Sequence, residues 1–111
     1  MISLVMAVYN GSRYILEQLI SIYTQTKKID EVIIIDDCST DDTITIIESY
    51  IRNNEIKHWK VIKNKSNKGW KRSFQDGLCM STGEFVFLCD QDDIWEPNKI
   101  EEMHRIIEAN S

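Results

Sequence analysis

The sequence is short of the residues that build the commonest phosphate-binding loops, with only four glycines, Gly11, Gly69, Gly77 and Gly83, and a single proline. Neither GxGxxG nor GxxxxGKS/T occurs, which weighs against a dinucleotide-binding enzyme or a P-loop NTPase. Its three cysteines, Cys38, Cys79 and Cys89, are an odd number without a CxxC pair. That count indicates neither a disulfide framework nor a zinc site, and it fits a reducing, cytoplasmic setting. Positive charge is also scarce: thirteen Lys and Arg against eighteen Asp and Glu leave a net charge of −5. A nucleic-acid partner is not expected, because such binding needs a basic surface to displace counterions. No apolar run approaches the roughly 18 to 20 residues of a transmembrane helix, and no basic segment followed by an apolar one opens the chain. Membrane insertion is therefore not expected.

What the 111 residues do have is enough apolar content, 42%, to bury one core. The length suits one domain or part of one. The apolar run Ile2 to Val8, closed by Tyr9-Asn10-Gly11, predicts a buried strand. Ser12 is placed to cap a helix reaching about Thr26, with Ile15, Leu19 and Ile22 inward and Glu17, Gln18 and Gln25 on other faces. Glu31 to Ile35 is a second strand, stopped by Asp36-Asp37. Ser39-Thr40-Asp41-Asp42 matches a capping box for a helix with Ile44, Ile47 and Ile51 on one stripe.

Asn53-Asn54 ends that helix, and the alternation from His58 to Lys63 predicts a strand nearer an edge. After a polar loop, Asn64 to Gly69, the spacing of Trp70, Phe74 and Leu78 predicts a helix to Met80 despite Gly77. Trp59, Trp70 and Phe74 read as core. Glu84 to Cys89 is a fourth strand, and Pro97 is placed to open a helix with Ile100, Met103 and Ile107 inward. Apolar strands alternating with amphipathic helices imply an α/β fold with a mainly parallel sheet between two helical layers. Ligands of such sheets bind beyond the carboxyl ends of the strands.

Three polar clusters fall on those ends: Tyr9-Asn10-Gly11, Asp36-Asp37 and Asp90-Gln91-Asp92-Asp93. Asp41 and Asp42 read as a cap or turn. Three carboxylates in the last cluster repel one another, so they either form an oxygen platform for Mg²⁺ or Mn²⁺ or remain a solvated turn capping the next helix. Trp95 either anchors that loop or stacks on a sugar or base. His58 and His104 lack a second ligand at metal-binding spacing and read as structural or solvated.

These residues also carry a resemblance. Met6 to Gly11, Ile33 to Thr43, Asn67-Lys68-Gly69-Trp70 and Gly83 to Trp95, the last containing Asp-Gln-Asp-Asp-Ile-Trp, resemble in order the signatures of family 2 glycosyltransferases across nearly the whole chain. The final motif is similar to that of bacterial rhamnosyltransferases and other surface-polysaccharide enzymes. The resemblance implies a Rossmann-like GT-A fold whose N-terminal half, here residues 1–111, binds a nucleotide-diphosphate sugar and Mg²⁺ or Mn²⁺. It places Tyr9 and the backbone at Ala7 in the nucleotide pocket. Asp37 then accepts the ring N–H of a uracil or thymine, Asp90 sits near the ribose and Asp92 ligates the metal. Asp36 braces its turn, Asp93 supports the cluster or caps the next helix, and Lys71 or Arg72 either reaches base or phosphate or faces solvent.

It further implies sugar transfer, usually inverting, to a glycan or lipid-linked acceptor, with the general base and acceptor-binding half in a later segment. No catalytic residue is assigned within residues 1–111, which are expected to bind nucleotide weakly and not to transfer sugar alone. Exposed sheet edges are expected to favour a homo-oligomer. Two other classes fit the residues less well. A metal-dependent phosphoryl-transfer or receiver-like domain wants a lysine or threonine at later strand ends, and a non-catalytic interaction module would be indifferent to nucleotide and metal.

Overall fold

A computed structural model describes residues 1–90 and 92–110. Its elements are β1 (Ile2–Val8), α1 (Ile15–Tyr23), β2 (Glu31–Asp36), α2 (Thr43–Asn53), β3 (Trp59–Lys63), α3 (Trp70–Met80), β4 (Phe85–Cys89) and α4 (Lys99–Ala109). All four strands are parallel, in the order β3-β2-β1-β4. The chain steps outward from β1 to β3, then crosses back to place β4 on the other side of β1. That reversal puts α3 on the opposite face of the sheet from α1 and α2.

Burial explains why β1 and β2 lack an apolar/polar alternation: every residue of both strands is buried, because helices cover the two faces. On one face Ile2, Leu4, Met6 and Val8 of β1 pack with Ile15, Leu19 and Ile22 of α1, Ile47 of α2 and Ile100 of α4. On the other, Val5 and Ala7 meet Phe74 of α3. Strand β3, at an edge, is only partly buried, in line with its mixed sequence.

Three helix registers differ from the sequence expectation. Helix α1 ends at Tyr23, not near Thr26, and Gln18 and Gln25 are buried, not solvated. In α3 the inward stripe is Ser73, Phe74 and Gly77, which leaves Trp70 and Leu78 exposed. Gly77 explains the shift, since a Cβ there would lie 2.2 Å from Val5 Cγ1. The helix sits so close to β1 that its contact stripe is centred on the residue without a side chain. In α4 only Ile100 is fully buried, while Met103 and Ile107 are exposed and His104 packs edge-on against Phe85 with ring centroids 4.8 Å apart. The helix begins at Lys99 behind Asn98, because the Pro97 carbonyl is turned away to accept the Thr26 amide at 2.8 Å.

At the amino edge of the sheet a buried carboxylate ties three strands to the start of β4. Glu31 Oε1 accepts from Ser3 Oγ at 2.8 Å and the Thr82 amide at 3.0 Å, and Oε2 meets Lys60 Nζ at 3.5 Å. Burial pushes this carboxyl up, but the Thr82, Ser3 and Lys60 contacts outweigh it and hold the group below its ordinary value.

Two outcomes are expected in urea unfolding. Gly77→Ala should destabilise by about 1–3 kcal/mol through overpacking against the stiff Val5 side chain, although alanine alone favours a helix by about 1 kcal/mol. Because the folded protein lowers the Glu31 pKa, its ionised form contributes stability that is whole above roughly pH 4.3 and is lost as pH falls through the lowered value. Glu31→Gln should therefore be less stable than wild type at pH 7 and lose less on acidification; an unchanged acid limb would count against this network.

Candidate active site

Each of the four loops at the carboxyl edge contains a residue in left-handed backbone: Asn10 (φ 47°), Cys38 (φ 68°), Gly69 (φ 90°) and Asp92 (φ 75°). Asn and Asp tolerate that region better than most side chains, because their short polar groups bond locally. The loops after β1 and β2 are sewn together. The Asn10 amide donates to Ser39 Oγ at 2.9 Å, Asn10 Oδ1 accepts the Thr40 amide at 2.8 Å, and the Gly11 amide donates to Thr43 Oγ1 at 2.9 Å.

This lacing corrects the capping assignments. Ser39 does not cap α2: its hydroxyl donates to the buried Asp36 carboxylate at 2.6 Å, so Asp36 braces the turn as expected. Asp41 accepts the first helical amide, that of Thr43, at 3.0 Å, while Asp42 at the cap position makes no side-chain bond to the helix. The Thr43 hydroxyl and amide and the Ser12 contacts outweigh partial desolvation and hold Asp41 at a pKa of about 2. Ser12 gives its amide to Asp41 at 3.2 Å, and α1 starts behind Tyr14 without a side-chain cap.

Asp37 is 4% exposed and organises the loop after β3. Its Oδ1 accepts from the Lys68 amide at 2.8 Å and Asn64 Nδ2 at 3.0 Å, and its Oδ2 accepts from the Gly69 amide at 2.9 Å. Burial pushes the carboxyl up, yet the Lys68, Asn64 and Gly69 hydrogen bonds and the Lys68 charge prevail and hold it below its ordinary value. A carboxylate offers about four acceptor sites, so Oδ2 retains one for a ligand N–H. Asp37 is one of the residues that line a cavity of ≈ 340 Å³, together with Ala7, Val8, Tyr9, Asn67, Gly69 and Trp70. Three of the expected nucleotide-site residues, Ala7, Tyr9 and Asp37, thus share one cleft.

Asp90 and Asp92 do not line that cavity; they lie exposed on the loop after β4, at the same edge of the sheet, while Gln91 between them lies outside the described residues. Asp93 is not a helix cap, since α4 starts behind Asn98, and its amide closes a turn onto the Asp90 carbonyl at 3.2 Å. Lys71 and Arg72 face solvent: Arg72 pairs with Asp76 at 3.1 Å, and the Lys71 ammonium lies 5.5 Å from the Trp70 ring centre.

A buried polar row, Gln18 and Ser21 on α1 and Gln25 two residues beyond its end, holds the acidic loop in place; the sequence put Gln18 and Gln25 on other faces of the helix and assigned Ser21 to none. Gln18 Nε2 donates to the Asp90 carbonyl at 2.6 Å, Ser21 Oγ accepts the Trp95 amide at 3.2 Å, and Gln25 bonds both the Glu96 carbonyl at 2.7 Å and the Ile100 amide at 3.0 Å. The signal was their spacing: residues 18, 21 and 25 share a helical face. Of the readings open for Trp95, anchoring is the one observed, for it is buried, with the Lys99 ammonium 4.4 Å from its ring centre. Trp70, read as core, is 63% exposed at the cleft.

Among the described residues no three His, Cys, Asp or Glu side chains form a cluster able to hold a metal. Exposed carboxylates on one loop still suit Mg²⁺ or Mn²⁺, which take one or two protein carboxylates and complete their shell with phosphate and water. Among the same residues no helix is long and apolar enough to cross a membrane.

Comparison with known proteins agrees with this geometry. Residues 3–111 match the model of the family described as glycosyl transferase family 2. An uncharacterized glycosyltransferase of Haemophilus influenzae is 36% identical over 99% of this chain, which covers 33% of that relative. The crystal structure of Staphylococcus aureus TarS in complex with UDP-GlcNAc superimposes with a TM-score of 0.85 at 32% identity, over 97% of this chain and 31% of that one. The mannosyltransferase PcManGT of Pyrobaculum calidifontis, in complex with GDP-Man and Mn²⁺, gives 0.79 at 26% identity, over 85% and 28%. The chain spans about a third of the length of the curated relatives it matches first. With its parallel α/β architecture and the cleft at the end of β1, the chain belongs to the family 2 glycosyltransferases and has their GT-A fold.

Proposed function

We propose that residues 1–111 form the nucleotide-sugar-binding part of an enzyme that passes a sugar from a uridine or thymidine diphosphate carrier to a glycan or lipid-linked acceptor. The observation that carries this reading is the cleft in which Ala7, Tyr9 and Asp37 converge, at the same sheet edge as the Asp90 and Asp92 loop. TarS is a poly(ribitol-phosphate) β-N-acetylglucosaminyltransferase, which supports a role in bacterial surface-polysaccharide synthesis, at the cytoplasmic face where activated sugars are available.

In this reading Asp37 accepts the ring N–H of the base. Its orientation is fixed beforehand by the Lys68, Asn64 and Gly69 donors, so little ordering is needed on binding. Tyr9 and the Ala7 backbone form the floor of the base site, and Asp90 takes a ribose hydroxyl. Asp92 would hold the divalent cation, which when bound supplies positive charge to the diphosphate as the leaving group departs. Gln18 fixes the backbone of the loop by its bond to the Asp90 carbonyl. The acceptor hydroxyl attacks the anomeric carbon with inversion, and no general base is assigned among residues 1–111.

Calorimetric titration tests this directly. UDP and dTDP should bind, whereas CDP should bind at least about tenfold more weakly, because cytosine turns an acceptor nitrogen toward the Asp37 carboxylate and loses a charge-assisted bond. Mn²⁺ should strengthen UDP binding in the wild type. Asp92→Asn keeps a residue that tolerates left-handed backbone but removes the charge, so it should abolish the Mn²⁺ effect and leave metal-free binding unchanged. Equal affinity for CDP and UDP would overturn the role of Asp37, and a Mn²⁺ effect that survives in Asp92→Asn would overturn that of Asp92.

A further inference from the structure

The geometry points to Trp70 as the aromatic wall that stacks on the nucleobase in the cleft, a reading that rests on the donor site proposed above and adds a residue to it. Trp70 opens α3, yet the helix packs through Ser73, Phe74 and Gly77, so the indole is turned away from the core. It is 63% exposed and lines the same cavity as Tyr9 and Asp37. A solitary exposed tryptophan needs no explanation on its own. Three features separate this one from an incidental surface residue.

The ring meets Phe74 edge-on, with centroids 6.2 Å apart, and the Lys71 ammonium lies 5.5 Å from its centre. The backbone just before it is pinned: the amides of Lys68 and Gly69 both donate to Asp37, which sets where α3 begins relative to the carboxylate that would read the base edge. Gly69, at φ 90°, makes the sharp turn by which the chain leaves that carboxylate and enters α3. The result is one unit bearing an N–H acceptor and a large π surface, the two elements needed to hold a flat heterocycle by edge and by face. The cavity is otherwise lined by Ala7, Val8, Tyr9 and Asn67. Asp90 and Asp92 are not in that wall, so a ligand whose diphosphate lies toward them presents its base, not its sugar, to Trp70.

Intrinsic fluorescence reads the contact selectively, since Trp59 and Trp95 are buried and Trp70 is the exposed member of the three tryptophans. UMP and UDP titrated into the chain should quench the emission and protect it from iodide to the same extent. Trp70→Ala should lose the quench and bind UDP about tenfold or more weakly, as alanine replacement of a base-stacking ring does elsewhere. Trp70→Phe, which keeps a ring, should retain most of the affinity, and circular dichroism should show both variants folded. Calorimetric UDP binding with unchanged fluorescence, or equal affinity in Trp70→Ala, would overturn the stacking role while leaving the donor site standing. A quench by a UDP-sugar but not by UMP would place the ring on the sugar and overturn it as well. If no nucleotide binds the folded wild-type chain, both readings fail together.

Discussion

A carboxylate nearly sealed from water, that of Asp37, sets the shape of the cleft edge. Left alone, such a charge would cost far more than a folded domain of this size can absorb. It is kept ionised because the Asn64 side chain and two successive backbone amides converge on it. Those donors belong to the loop after β3, so the demand of one charge at the end of β2 fixes the path of the neighbouring crossover and the direction in which α3 begins. The site is built as a consequence of satisfying that group.

Much of this was legible in the chain, and the reasons differ by element. The strands were readable because β1 and β2 are short, mostly apolar runs bounded by polar turn residues. The helices were found but rotated. In α3 the aromatic spacing of Trp70, Phe74 and Leu78 gives a convincing stripe, and only the close approach of Gly77 to Val5 shows that the true contact line runs beside it. In and just after α1, Gln18 and Gln25 read as lying on other faces, whereas they and Ser21 are buried because they bond the backbone of Asp90, Trp95, Glu96 and Ile100. Periodicity reports where apolar surface recurs; it carries no information about a loop, distant in sequence, that needs donors and acceptors. The same reason bears on two tryptophans, Trp95, whose reading as anchor or stacking ring was open, and Trp70, which read as core. Trp95 lies next to the acidic motif yet is tied to α1, and Trp70 lies on an apolar stripe yet faces the cleft.

The electrostatics of the site follow a division of labour between edge and face. A net charge of −5 is poorly suited to attracting a diphosphate. In the proposed reading the cleft would receive the base beside the Asp37 carboxylate, while the acids after β4 stand apart from that wall, where a divalent cation would reverse the local sign. The proposed base site and the proposed metal site thus lie on different loops of one sheet edge, on either side of β1, whose end is followed by Tyr9.

The left-handed residues at all four strand ends bear on how such a scaffold diversifies. At Asn10, Cys38, Gly69 and Asp92 a β-branched or bulky replacement would strain the backbone whatever it touched. Substitution at these four points is therefore filtered by main-chain geometry before any ligand is involved. The side chains beside them, such as Tyr9 and Trp70, face no such filter. Within the same few residues, then, the main chain restricts what can stand at the turns, while the side chains that line the cleft are restricted only by what they touch.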